Sequence, residues 1–528
     1  MLASALLISG PKKQNCPFTW EGRKAIFDIG ENNAAGSFEI EISFSEKISS
    51  FRRHDYTWQP YGKADLAEPF APKILRLSNG TYVQPNALAG YWVPKDAHTL
   101  RWLFNPEGAA PVVHYAKGSH AREILRAKSE RKKTTPALLF TVDAVEFSRS
   151  AIPFSATACF TDHCDFDTPE NLVVQREFFK SAGIRVTKGF FLNHFSKRAD
   201  NASFERDAGE LDLWREDGHE LAYHSLSQSI KSDEDSFADF TKFAPPFPDI
   251  PTWIDHGYQP YNLTLYRNHI SDEEFASTMR RKGISILWNY IDSGTAAKGV
   301  INQLNPNDFT LSRFQANNRG KFVRRFSALV KAIMFHHYAD EKIVQAYKNA
   351  AGSFKRFLRQ KRFSEFRKFL GSALHAGYPV GKAILAWPVS STKTFKLARF
   401  TPLVFTHCID DKKFHVFQTL EMVDFRAGLS RENIDRLVSE SGIFIAHTYF
   451  SVPHGYHTGR MLREGKIDVQ VAENFRYLGR EIGSGKIWNP TLRELVQHLA
   501  LFDEIAIDVN DSGKTVVRAP VTLHFRKV

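Results

Sequence analysis

The sequence predicts an α/β protein: seven strand–helix repeats forming a closed or nearly closed parallel barrel, preceded by a β-rich region and interrupted by a basic helical insertion. Three observations predict it. From residue 155 onward, short apolar runs alternate with amphipathic helical stretches, the rhythm of a parallel barrel or sheet. Polar residues gather where those runs end, which is the end at which such folds place their chemistry. Before residue 150 the apolar residues instead recur at every second position, as in half-buried strands.

Residues 1–150 are expected to form a β-sandwich-like domain. SFEIEISFSE (37–46) alternates at period two, KILRLSNGTYVQ (73–84) is a hairpin with Asn79-Gly80 at its turn, and TLRWLF (99–104) and ALLFTVDAVEF (137–147) are further strands. SHAREILRAKSERKK (119–133) is expected to be a basic helix. The barrel is assigned to 151–295 and 401–528. Its strands are predicted at 155–162, 185–193, 219–225, 252–257, 284–292, 413–423 and 443–450. Its helices fall between them: 169–183 is capped by Thr168, has Pro169 at its first position and stops at Gly183, and others are expected at 209–217, 233–243, 271–283, 430–442 and near 469–482 and 490–501. Residues 296–400 are a helical insertion, and 504–525 return to β.

Composition narrows the function classes. The chain has 528 residues, 43% hydrophobic and 24% charged, ordinary for a folded protein. No apolar run is long enough to span a membrane. MLASALLISGPKKQ has a short apolar stretch with no basic residue before it, so a cytoplasmic or peripheral membrane location is expected. The four cysteines are scattered without a CxxC pair, against a disulfide framework or thiolate zinc finger. Net charge is +12, but residues 321–370 hold 13 Lys/Arg against 3 Asp/Glu and residues 117–133 hold 7 against 2, which leaves the remainder near −3. A nucleic-acid groove would place that charge on the working face of the main fold, so nucleic acid is not the expected partner.

The chemistry is expected at the strand ends. Asp162-His163-Cys164-Asp165-Phe166-Asp167 delivers three carboxylates and an imidazole just beyond the first strand, a crowd that needs a cation or substrate to offset it. Asp167 and Thr168 equally suit the cap of the helix that follows. His224 ends the third strand, Asp255-His256 the fourth and His447 the seventh, with His454 and His457 in the loop beyond. Nitrogen and oxygen donors without thiolate suit Zn²⁺, Fe²⁺, Mn²⁺ or Co²⁺.

FTDHCDFDTPENLVVQREFFKSAGIRVTKGFFL (160–192), followed by GHELAYHSLSQ (218–228), resembles the polysaccharide deacetylases of carbohydrate esterase family 4. Those enzymes open with a strand ending Thr-Phe-Asp-Asp-Gly and carry a second motif Gly-His-Glu-x-x-x-His-(Ser/Thr)-x-x-His. The resemblance covers roughly 155–295 and 413–505, and implies a distorted (β/α)7 barrel. It also implies a divalent transition metal, foremost Zn²⁺, and hydrolysis of N- or O-linked acetyl groups on a sugar or polysaccharide. Carried over by position, Asp162 becomes the general base, His447 the general acid, and His163 and His224 metal ligands. The sequence departs from the pattern at His163, where the family has Asp, and at Gln228, where it has a second metal histidine. The Arg-Pro-Pro-Tyr motif survives only as Tyr258-Gln259-Pro260-Tyr261. Asp165 and His256 are therefore expected to complete a rearranged ligand set. The alternative is a barrel that has lost catalysis and binds carbohydrate. Trp288 and Tyr290, with Asp255 and Tyr449, are assigned to substrate, although Trp288 equally suits core packing.

The insertion has three uses open to it. Its Phe and Leu at helical spacing among Lys and Arg suit an anionic membrane surface, a solvated cover on the barrel, or a grip on an acidic glycan.

Overall fold

Alternation of buried and half-buried positions builds the β-rich half. In Phe38–Phe44 every second residue is buried, and this strand is central in a five-stranded antiparallel sheet with Leu2–Ser9, Lys12–Asn15, Tyr91–Asp96 and Thr99–Phe104. A seven-stranded sheet carries the predicted hairpin, Leu75–Leu77 and Tyr82–Pro85, with Gly80 at φ +87° in its turn. Ile40, Ile42 and Trp102 from the first sheet and Phe27, Val83 and Leu138 from the second share one core, so the two sheets pack as a sandwich. In this computed structural model the residues described are 2–30, 36–62, 66–115, 122–128, 135–197, 201–229, 231–256, 262–292, 300–318, 321–338, 340–386, 400, 403–422, 424–452 and 460–528.

One expectation for this half is corrected. The basic stretch 119–133 is not a helix where it is described: Arg122–Arg126 is a strand, paired antiparallel with Pro111–Tyr115. Its Arg-Glu-Ile-Leu-Arg sequence puts β-branched Ile124 opposite Val113, and a cross-strand partner outweighs the helix propensity of its charged residues. Residues 119–121 and 129–133 lie outside the described residues. ALLFTVDAVEF divides into Ala137–Thr141 and Val145–Phe147, and the second piece pairs with the C-terminal strand Phe525–Lys527.

The seven predicted barrel strands are present: Ala156–Asp162, Thr187–Phe190, Glu220–Tyr223, Thr252–Trp253, Ile286–Asp292, Lys412–Glu421 and Ile443–Thr448. All are parallel to their barrel neighbours, and the ring closes because the first strand pairs with both the seventh and the second. At its start the first strand also pairs with Ile487–Trp488, a short strand wedged at the barrel's base. Alternate residues face inward, where Cys159, Ala222, Ile254, Trp288 and Ile445 fill the barrel. Their neighbours Phe160, Tyr223, Trp253 and Ala446 face the helices. Ser or Thr caps start the intervening helices, with Thr168, Ser232, Ser271, Ser430 and Thr491 each accepting a hydrogen bond from a backbone N–H of the first turn.

The segment expected to be a helical insertion is mostly helical where it is described. Phe322–Ala332 continues into a π-helical turn, and Glu341–Gln360 and Phe363–Ala386 form a hairpin turned at Lys361, φ +50°. Among the described residues no helix is long and apolar enough to cross a membrane.

Two buried histidines make this fold sensitive to acid. Nδ1 of His219 accepts the Val186 N–H at 3.2 Å, and Nδ1 of His407 accepts the Lys128 N–H at 3.1 Å, so both rings must be neutral there. Burial pushes each down to about 4 from an ordinary 6.5. The unfolded chain therefore takes up protons below pH 6.5 that the folded chain refuses until about pH 4. Stability contributed by these rings is complete above pH 6.5 and is lost as pH falls toward 4. Urea midpoints measured from pH 8 to 4 are expected to fall across that window, with a shallower fall in His219→Asn.

Candidate metal centre

The strand ends bring imidazoles and one carboxylate to a single point in the barrel mouth. His163 follows the first strand, still tied to it by its N–H on the Thr448 carbonyl at 2.9 Å. Cys159 and Thr161 precede it at alternate positions, so the imidazole continues the inward-facing row. It stacks on His447 with ring centroids 3.8 Å apart and meets the edge of Trp288 at 4.7 Å and His224 at 4.5 Å. The chain then turns at Phe166, φ 69°, which presents Asp165 to the same point. His224 enters from the third strand, followed by Ser225 at φ 64°. Left-handed backbone at non-glycine residues beside two converging side chains is the kind of strain that functional sites hold.

Donor atoms of His163, Asp165 and His224 lie within 4.8 Å of one another, and all three residues are buried. His224 Nδ1 is 3.1 Å from the Ile254 carbonyl and its Nε2 is 3.0 Å from Asp165 Oδ2. A carbonyl only accepts, so Nδ1 carries the proton and a neutral ring turns its Nε2 lone pair toward the carboxylate. That contact is favourable when the ring is charged, when the carboxyl carries a proton, or when a cation lies near both atoms. Burial lowers the His224 pKa while its contact with Asp165 raises it. The carbonyl thus does what a second partner does for a metal-binding imidazole, fixing tautomer and direction.

His256, from the fourth strand, holds the other oxygen of Asp165 at 2.9 Å. Burial works against the Asp165 charge, but His256 and His224 outweigh it and keep the carboxyl well below its ordinary range. His163 is pushed well below its own range by burial, then by His447, His224 and His256, and its Nε2 finds no hydrogen-bond partner among the described residues. A neutral imidazole, a buried ionised carboxylate and a second imidazole with a free lone pair form a donor set that fits Zn²⁺ or a similar borderline cation.

Other residues expected here are placed differently. Asp162 lies between the strand and the helices, not in the mouth: its carboxylate pairs with Lys188 and accepts from Thr448 Oγ1 and the Phe450 N–H, each at 3.2 Å. Lys188 also holds Asp167 at 2.5 Å and Gln175 Oε1 at 3.0 Å, on the helix Pro169–Ala182 side. The general-base role expected for Asp162 does not suit this arrangement, because the side chain is committed to a buried ion network. Asp255 is turned outward as well, accepting from Trp253 Nε1 at 2.9 Å and the Leu263 N–H at 3.2 Å, with burial pushing it up to about 7. Gln228 gives its amide oxygen to the Ser196 and Ser229 hydroxyls. Trp288 and Tyr449 do line the cluster, Tyr449 at 5.2 Å from His163 and 4.8 Å from His447. The Tyr290 side chain, His454, His457 and the 258–261 segment fall outside the described residues.

Two residues of this region went unpredicted. Lys188 had a visible signal, a lone lysine within the apolar strand RVTKGFFLN. Gly189 supports His224 by its lack of a side chain: a Cβ there would collide with the Asp162 carbonyl and press to 3.3 Å on the His224 Cβ.

What fold and site define is a closed seven-strand parallel α/β barrel with a histidine-rich mouth and β-rich N-terminal sheets. No protein-family model matches the chain, and no curated protein matches it. Among solved structures, similarity is found to a GH31 dextranase of Flavobacterium johnsoniae complexed with glucose, at 8% identity and TM-score 0.28, covering 98% of this chain and 73% of that one. An aspartate-to-alanine variant of the same enzyme, complexed with isomaltotriose, gives 8% identity and TM-score 0.28 over 98% and 69% of the two chains. A likeness at that score carries no conclusion about activity.

Proposed function

We propose that the chain is a metal-dependent hydrolase that removes acetyl groups from a sugar or polysaccharide, a divergent relative of the polysaccharide deacetylases. The observation that carries the metal half of this proposal is the His224 ring, whose two nitrogens face a carbonyl and a carboxylate at 3.1 and 3.0 Å. The substrate half rests on the motif resemblance alone. His163, Asp165 and His224 would hold the ion, with His256 bracing the second carboxylate oxygen. When bound, Zn²⁺ would supply a water acidified to about pKa 7 and a Lewis acid for the acyl oxygen.

The remaining steps belong to the chain's own groups. Asp162 is committed to Lys188, and His256, 2.9 Å from the second oxygen of Asp165 and 16% exposed, braces that carboxylate on the open side of the cluster. His447, stacked on His163, is the imidazole available to protonate the departing amine or alkoxide. Trp288, anchored by Nε1 on Thr419 Oγ1 at 3.0 Å, offers an apolar wall suited to an acetyl methyl or a sugar face.

The test is metal analysis of the purified protein together with acetate release from a panel of N- and O-acetylated sugars. About one equivalent of transition metal and metal-dependent acetate release are expected. A second function is favoured by the lock on Asp162 and the engaged Gln228: a barrel that binds glycan without turnover. Glycan binding with no acetate release from the metal-loaded protein would establish that second function and overturn the first.

A further inference from the structure

We infer that the helical insertion is a docking element for an anionic lipid surface. Ten of the twenty large apolar side chains exposed among the described residues lie between Phe322 and Leu385. That concentration, in so short a part of the chain, is not what singly scattered surface apolar residues look like. It coincides with the strongest charge excess of the sequence, the 13 Lys/Arg against 3 Asp/Glu of residues 321–370.

The hairpin shows how the two properties combine. Glu341–Gln360 is a 20-residue helix, about 30 Å long at 1.5 Å per residue. On the returning helix the buried residues are Glu365 and, farther along, Ala376, Val380 and Ala383, and the last three join the barrel's core cluster. Toward the turn, Phe357, Phe366 and Phe369 pack the two helices together, with Phe354 against Phe369 at 5.0 Å and Phe357 against Phe366 at 5.2 Å. Leu358 and Phe363 flank that turn at 60% and 69% exposed. Lys355, Arg359, Lys361 and Arg362 surround them in sequence. Phe322 and Val323 start the preceding helix at 80% and 77% exposed.

Chemistry selects the partner. Cationic side chains alone would suit an acidic glycan or nucleic acid, and aromatic faces would suit a sugar ring. Exposed aliphatic side chains suit neither, yet Leu358, Leu370, Leu374 and Leu385 are 48–80% exposed. Leucine beside Lys and Arg is the composition that enters the boundary between headgroups and acyl chains while the charges remain with anionic headgroups. Among the described residues no helix is long and apolar enough to cross, so the hairpin would lie on or dip into one leaflet.

Full-length protein should co-sediment with phosphatidylcholine vesicles containing about a quarter phosphatidylglycerol, and bind pure phosphatidylcholine vesicles at least about tenfold more weakly. Leu358→Ser/Phe363→Ser/Leu370→Ser keeps every charge and alters only exposed positions, so its unfolding midpoint should stay near wild type. Its partitioning onto anionic vesicles should fall by about tenfold or more. Undiminished binding by that variant would leave only charge attraction and overturn lipid docking. So would binding to polygalacturonate without binding to vesicles, or a wild-type dimer that the triple variant abolishes, because the patch would then belong to a glycan or to a second copy.

Discussion

Replacing Lys188 by methionine is expected to destabilise the protein by about 3–5 kcal/mol, because it strands two buried carboxylates. Lys188 and Asp162 have no side-chain exposure and Asp167 has 1%. The ammonium is further held by Gln175 and lies 5.3 Å from the Trp214 ring. Burial opposes its charge, but Asp162 and Asp167 overcome that and raise its pKa. Burial also pushes Asp162 up to about 7 from an ordinary 3.8, with Asp167 adding to the rise and Lys188 working against it. Without the lysine the folded state must hold a proton on the Asp162 carboxyl more tightly still. The folded chain then keeps protons that the unfolded chain releases above about pH 4, so stability falls as pH rises through and beyond that point. Lys188→Met should therefore lie closer to wild type in urea midpoint at pH 5 than at pH 8. Adding Asp162→Asn and Asp167→Asn should recover much of the loss at pH 8, since the buried charges go with their partner. A single variant as stable as wild type at pH 8 would mean that water reaches the network.

That network also shows which part of the site was legible in the sequence. The strands were, because short apolar runs bounded by polar residues alternate with helical stretches. The facing of their last residues follows from alternation alone. Phe160 faces the helices, so Asp162, two positions on, shares that side, while Cys159 and Thr161 lead to His163 in the mouth. Trp253 and Asp255 repeat the outward pair, and Ile254 with His256, Ala222 with His224 and Ile445 with His447 repeat the inward one. Matching Asp162 to the family's general base by motif position overrode this period-two rule. The pairing of Asp162 with Lys188 was less accessible, since it depends on register between strands joined by a whole helix. The strand at Arg122–Arg126 was hidden for a related reason: its five residues gain their structure from Pro111–Tyr115, and a charged stretch read by itself looks helical.

If the proposed metal hydrolase is right, His224→Ala is expected to abolish metal binding and, with it, acetate release. The argument concerns the order of effects across the cluster. His224 is the residue whose direction is fixed from behind, by the Ile254 carbonyl, and its alanine variant would remove one of the three proposed ligands while leaving Asp165 one imidazole. Asp165→Asn keeps the shape but removes the only carboxylate in the donor set, and should also empty the site. His256→Ala takes away a brace on Asp165, so about 10–100-fold weaker metal binding is expected, with activity recoverable at high metal concentration. His447→Ala leaves all three donors in place; it should retain metal and lower kcat by about 10²–10⁴, the usual worth of a positioned proton donor. Metal content and turnover measured side by side separate these behaviours. Loading the protein with Co²⁺ adds a readout independent of turnover, since its visible absorption reports the donor set and should vanish in His224→Ala while persisting in His447→Ala. Full metal content in both His224→Ala and Asp165→Asn would show that the ion sits elsewhere, and the hydrolase built on this cluster would fall with it.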